Sequence, residues 1–184
     1  MPAHTSVNVA VNTSRLFPYL VVGPVEGASR AVGHCLSVAL FEDLDTEFGL
    51  SAVTADHLDE AKLTADDAHR IALENLVRFA DESPDLSIQV LGHSGGPVHF
   101  LLYSDHPRAS SCLLLPDLYE HASEVLHESE LLACVPQRES LVIFPRRDRE
   151  KLVGKLRAIE ADARHPLTFE LFALAPNSVM PFTG

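Results

Sequence analysis

Residues 131–144 read LLACVPQRESLVIF. Two apolar runs, Leu131–Val135 and Leu141–Phe144, flank the short polar connection Pro136–Ser140, and such a pattern predicts two strands side by side. Strands joined by so short a connection pair antiparallel, because a parallel partner needs a crossover of a dozen residues or more. The same arrangement recurs upstream. Leu86–Leu91 and Val98–Tyr103 flank a glycine-rich turn at Gly92–Pro97. Leu16–Val22 and Cys35–Leu44 read as further strands, with Pro18 marking an edge or a bend. Phe48–Val53 and Phe169–Ala175 are shorter apolar runs of the same kind, and Gly23–Gly33 reads as a loop.

Helical periodicity fills the intervals. Thr64 is a good N-cap with Asp67 three residues on, and Ala68, Ile71, Ala72, Leu76 and Phe79 follow at helical spacing to about Ala80. A single helical turn is expected over Asp56–Glu60. Ala109–Leu115 looks helical, and Pro116 opens a second helix from Asp117 to about His127, since proline is tolerated at a first helical position. Asp148 is placed to cap a last helix whose Leu152, Leu156, Ile159 and Ala163 share a face, ended by Pro166. The expected fold is an α/β (α+β) single domain over 15–184, with a mixed or largely antiparallel sheet and three to four packed helices, behind a flexible segment 1–14.

The chain has 184 residues, 46% of them hydrophobic and 22% charged. That apolar fraction supports a packed core rather than disorder. Fourteen Lys and Arg against 26 Asp and Glu leave a formal charge of −12. The acid is unevenly spread: residues 1–137 carry 20 acids and 6 bases, residues 138–184 carry 6 acids and 8 bases. Such a balance argues against a general nucleic-acid binder and against docking on anionic membranes. The first fourteen residues lack a charged and then apolar leader, and no apolar run is long enough to cross a bilayer, so a cytoplasmic location is expected. Cys35, Cys112 and Cys134 stand in apolar contexts and read as buried, unpaired thiols.

Few motifs carry chemistry. Gly92-His93-Ser94-Gly95-Gly96 matches G-x-S-x-G, but a hydrolase needs a helix after the serine and Pro97–Tyr103 reads as a strand, leaving Ser94 a weak candidate nucleophile. The ten histidines show no H-x-x-x-H or H-x-H spacing, and neither a phosphate-binding loop nor a dinucleotide fingerprint is present, so no metal and no cofactor is expected. Arg146, Arg147 and Arg149 sit at the start of the last predicted helix, where the macrodipole disfavours cations; they either pair with nearby acids or mark an anion or partner site.

Three segments give the chain a family likeness: Ala72-Leu73-Glu74-Asn75-Leu76, Tyr103-Ser104-Asp105 with Ala109-Ser110, and Val135-Pro136-Gln137-Arg138-Glu139 leading into Leu141-Val142-Ile143. In these it resembles the YtpQ-like family of uncharacterised bacterial proteins over about residues 21–182. It departs from that pattern in a shortened N-terminal portion, in Glu139 where an Asp often stands, and in Pro116 splitting a helical segment. The resemblance implies an intracellular α/β protein and brings no established reaction.

Three functions stay open. The leading expectation is a non-catalytic binding or regulatory protein, adaptor- or immunity-like, whose acidic N-terminal three-quarters meets a protein partner; edge strands also allow a homodimer. The second is a serine hydrolase using Ser94. The third is a small polar ligand binder in which Asp105, Ser110 and Arg138 converge at strand-end loops, beside Glu139.

Overall fold

In the 131–144 stretch the two runs pair as expected, and their hairpin is the centre of a larger antiparallel sheet. The computed structural model describes residues 11–23, 28–44, 49–93 and 96–184. Its strands are β1 (Leu16–Val22), β2 (Ser29–Ala31), β3 (Leu36–Asp43), β4 (Leu50–Ala52), β5 (Ser87–His93), β6 (Gly96–Ser104), β7 (Leu131–Gln137), β8 (Ser140–Pro145), β9 (Leu171–Ala175) and β10 (Ser178–Pro181). The helices are α1 (Ala55–Glu60), α2 (Ala65–Glu82), α3 (Leu118–Leu126) and α4 (Arg149–Asp162), with 3-10 turns at Thr13–Arg15, Ser110–Leu114 and Arg146–Asp148.

Two sheets result. In the smaller, β3 pairs with β1 along one side and with both β2 and β4 along the other. The larger runs β10-β9-β7-β8-β6-β5. Every pairing among the described strands is antiparallel. The expected α+β single domain with a largely antiparallel arrangement and four helices is therefore what the chain forms.

Strands β7 and β8 are buried on both faces, which is why they read as nearly continuous apolar runs. Alternation sorts their side chains. Leu131, Ala133, Val135, Leu141 and Ile143 enter the main core, shared with Leu20, Leu36 and Val38 of the smaller sheet and with Leu118 and Ala122 of α3. Leu132, Cys134, Val142 and Phe144 face the other way, onto Leu152 and Leu156 of α4. A third cluster joins Leu16 and Leu40 to Ala68 and Ala72 of α2. Asn75, on the same helix, donates to the carbonyls of Thr13 (2.8 Å) and Leu16 (2.9 Å), fixing the entry to β1. Of the N-terminal segment 1–14, residues 1–10 lie outside the described residues.

Several local expectations are corrected. The loop expected over Gly23–Gly33 contains the short strand β2. In place of the α-helix expected over Ala109–Leu115, Ser110–Leu114 forms a 3-10 turn, confined between Pro107 and Pro116. A tenth strand follows β9 through a tight turn in which Pro176 presets φ and Asn177 takes the left-handed conformation at φ 57°. Asp148 occupies the N-cap position of α4 without capping it; its carboxylate accepts from Lys151 Nζ at 2.7 Å instead. Ile159, expected on the buried face of that helix, is 44% exposed. Cys112 and Cys134 are buried as read, and burial pushes both thiols up to about 12, so neither is a nucleophile near neutrality. Cys35 is exposed, because β3 starts one residue later and Cys35 belongs to the preceding turn. No helix among the described residues is long and apolar enough to cross a membrane.

Candidate functional site

The chemistry of this molecule gathers where the loop after β6 crosses the smaller sheet. Arg108, on that loop, is a buried cation with a side chain only 9% exposed. Its guanidinium pairs with Asp43 at the end of β3 and lies over the Phe17 ring of β1 (3.7 Å to the centroid) and the Phe79 ring of α2 (4.8 Å). A planar, weakly hydrated cation suits such a place, stacked on aromatic faces and neutralised by one carboxylate. The Arg108 amide donates to His106 Nδ1 at 3.0 Å, which leaves the imidazole proton on Nε2. The His106 ring packs on Phe79 with centroids 4.5 Å apart.

Tyr19, Asp43, His106, Arg108 and Arg138 line a cleft of about 310 Å3, with Leu50 and Pro107 forming an apolar wall. Burial pushes the Tyr19 phenol above its ordinary pKa, opposed by the guanidiniums of Arg108 and Arg138. Arg138 reaches the cleft from the tip of the β7–β8 hairpin, where Arg138 and Glu139 are the two residues between the paired Gln137 and Ser140. Its backbone is pinned twice: the amide donates to the His165 carbonyl and the carbonyl accepts from the Ser110 amide, each at 3.1 Å. Glu139 turns away and holds His165 Nδ1 at 2.7 Å.

The residues read as candidates are thus divided. Arg138 lines the cleft; Ser110 touches the Arg138 carbonyl through its backbone but is fully buried, and its hydroxyl, like those of Ser111 and Ser140, has no hydrogen-bond partner. Asp105 is exposed, takes a left-handed φ of 69° and accepts from Ser104 Oγ at 3.0 Å, apart from the cleft lining. Arg147 pairs with Glu128, and Arg146 and Arg149 both stand over the Phe182 ring, at 5.1 and 5.4 Å. Ser94 lies outside the described residues; the next described element is β6, a strand, where the hydrolase pattern has a helix. No group of three His, Cys, Asp or Glu among the described residues is placed to hold a metal.

Sequence reading missed Tyr19, Asp43, His106 and Arg108. Tyr19 and Asp43 are 24 positions apart and lie 63 to 89 positions from His106 and Arg108, so no local pattern joins the four.

A second feature lies at the far margin of the larger sheet. The outer strands are unequally protected. β1 contains Pro18, β10 contains Pro181, and β2 and β4 have three residues each. β5 has seven residues, and Ser87–Gly92 includes neither a proline nor an acid or base. Ile88 and Val90, 43% and 50% exposed, lie on one face of it. Beside Ile88 a smaller hollow is lined by Val77, Leu118, Asp81 and Asp117. The chain matches no family model, no curated protein and no solved structure.

The two half-buried histidines make stability depend on pH. Burial lowers the pKa of His106, with Asp85 opposing, and lowers that of His69, with Arg30 acting in the same direction. The unfolded chain takes up these protons near pH 6.5 while the folded chain does not, so folding weakens as pH falls through about 6.5 and the loss levels off below the folded values. Urea midpoints are expected to be lower at pH 5.5 than at pH 7.5, and replacing both histidines with glutamine should shrink that gap. An unchanged gap would refute the assignment.

Proposed function

We propose that this chain is a non-catalytic binding protein, adaptor- or regulator-like, that engages a protein partner by accepting one of its strands along β5. The observation that carries the reading is the unprotected margin of the larger sheet. Natural sheets blunt their edges with prolines, charges, bulges or shortness; β5 alone among the described outer strands is both longer than four residues and free of proline, Ser87–Gly92 is uncharged, and the register shift of its pairing falls at its end, between Gly92 and His93. Main-chain groups of such an edge bind an added strand, and pockets along it select alternate side chains. The chemistry around Ile88 defines the partner strand: apolar side chains on one face, with Lys or Arg placed to meet Asp81 and Asp117. The likeness to YtpQ-like proteins belongs to the same proposal, and it brings no reaction that would compete with binding.

The test is capture of partners from lysate on the immobilised chain at low and moderate salt, beside Val90→Lys. Val90 is exposed, so the variant folds, and a lysine there both removes an apolar contact and repels a basic strand. Retention should weaken by about tenfold, equivalent to ~1.4 kcal/mol. If nothing is retained at either ionic strength, or if Val90→Lys binds as well as the parent, the proposal fails.

A further inference from the structure

The Arg138 cleft is independent of the β5 edge and poses a different question. Two guanidiniums, those of Arg108 and Arg138, stand near one buried tyrosine hydroxyl. Asp43 neutralises Arg108. Among the described residues no carboxylate pairs with Arg138: Glu139, its neighbour in sequence, is held by His165, and Asp43 is already engaged. With Arg108 neutralised, the half-buried Arg138 is the uncompensated charge among the described lining residues, and an entering anion would balance it.

We propose that this cleft binds a small organic monocarboxylate, its carboxylate on the Arg138 guanidinium and its apolar portion against Leu50 and Pro107. Three features select that class. Arg108 and Asp43 cancel and His106 is neutral, so the described lining residues offer one net positive charge, which matches a singly charged ligand better than a doubly charged phosphate. The planar guanidinium fork presents paired N–H donors at carboxylate spacing. The volume of about 310 Å3 is at the lower limit of ligand pockets, which suits a small molecule with one apolar branch. The His106 Nε2 proton and the Tyr19 hydroxyl are further donors on the cleft's lining residues.

Titration calorimetry and thermal unfolding with 3-methylbutanoate, at constant ionic strength, test this directly. The neutral isostere 3-methylbutanamide and inorganic phosphate are the comparison ligands. The carboxylate should give heat of binding and raise the unfolding midpoint; the amide should do neither, and phosphate should bind more weakly. Arg138→Gln should weaken carboxylate binding at least tenfold, Arg138→Lys by less, and Arg146→Gln not at all. Arg138→Gln keeps both backbone hydrogen bonds that pin the hairpin, and cooperative unfolding at the parental midpoint without ligand checks that it folds. Absence of carboxylate binding to the parent chain, equal binding of the amide, or binding unaffected by Arg138→Gln overturns the site; tighter binding of phosphate overturns the ligand class.

Discussion

Replacing Arg108 with alanine is expected to destabilise the fold by about 3–4 kcal/mol, as breaking a buried ion pair and leaving a cavity together do. One side chain joins three parts of the molecule there: β1 through Phe17, α2 through Phe79 and β3 through Asp43. Truncation removes the stem packed between the two rings, the cation over them and the partner of a carboxylate. The two halves of the pair are not equivalent. Asp43 is 36% exposed and can reach water when abandoned, whereas Arg108 cannot, its Nε being buried and unpartnered even in the intact protein. Asp43→Ala is therefore expected to cost about 2–3 kcal/mol, because it strands a buried charge. The double variant should lose at least ~1 kcal/mol less than the two single losses together, the sign of direct coupling between contacting residues. Urea unfolding with an unchanged m-value is the measurement. A loss below ~1 kcal/mol for Arg108→Ala would show that the loop after β6 is held by its apolar neighbours alone.

The second large effect is expected at Gly33, and its sign should depend on a residue 137 positions away. Glu170, immediately before β9, is buried and accepts from the amides of His34 (2.6 Å) and Cys35 (3.4 Å), immediately before β3. The carboxylate thus staples the start of β3 in one sheet to the start of β9 in the other. Gly33 does not have a left-handed φ, so its backbone conformation is open to alanine. What alanine meets is Glu170 itself: a Cβ on residue 33 would overlap all three atoms of the carboxylate. Gly33→Ala must expel that group and forfeit its charge-assisted hydrogen bonds, costing about 2–3 kcal/mol. Glu170→Ala should cost about 1.5–3 kcal/mol for the same lost bonds. Once Glu170 is gone the obstacle is gone, and Gly33→Ala in that background should be neutral or stabilising by up to ~1 kcal/mol, through the reduced freedom of the unfolded chain. Four urea curves complete the cycle. Additive losses would mean that the staple is absent in solution.

These sites also show how far the primary structure could be read. The hairpin at 131–144, the capped helix after Thr64 and the edge strand with Pro18 were legible because period, cap and turn chemistry are local properties of a few neighbouring residues. Arg138 was legible as a candidate because it stands in the polar connection between two predicted strands. That no carboxylate among the described residues pairs with it was not, since that depends on Glu139 turning to His165, a residue on a separate connection. Ser110 read as part of a polar ligand site and is instead a buried residue whose amide secures the Arg138 carbonyl.

Composition and periodicity alone thus established an acidic α+β chain of adjacent antiparallel strands, because burying apolar faces at period 2 or 3.6 leaves few other solutions. Long-range geometry was needed for everything that bears on binding. The splitting into two sheets, the convergence of Tyr19, Asp43, His106, Arg108 and Arg138 on one cleft, and the exposure of β5 as an outer strand all follow from which distant segments pack together. Nothing local encodes that choice: it is made by the shared core between the sheets, where Leu20, Val38, Leu131 and Ile143 exclude water together.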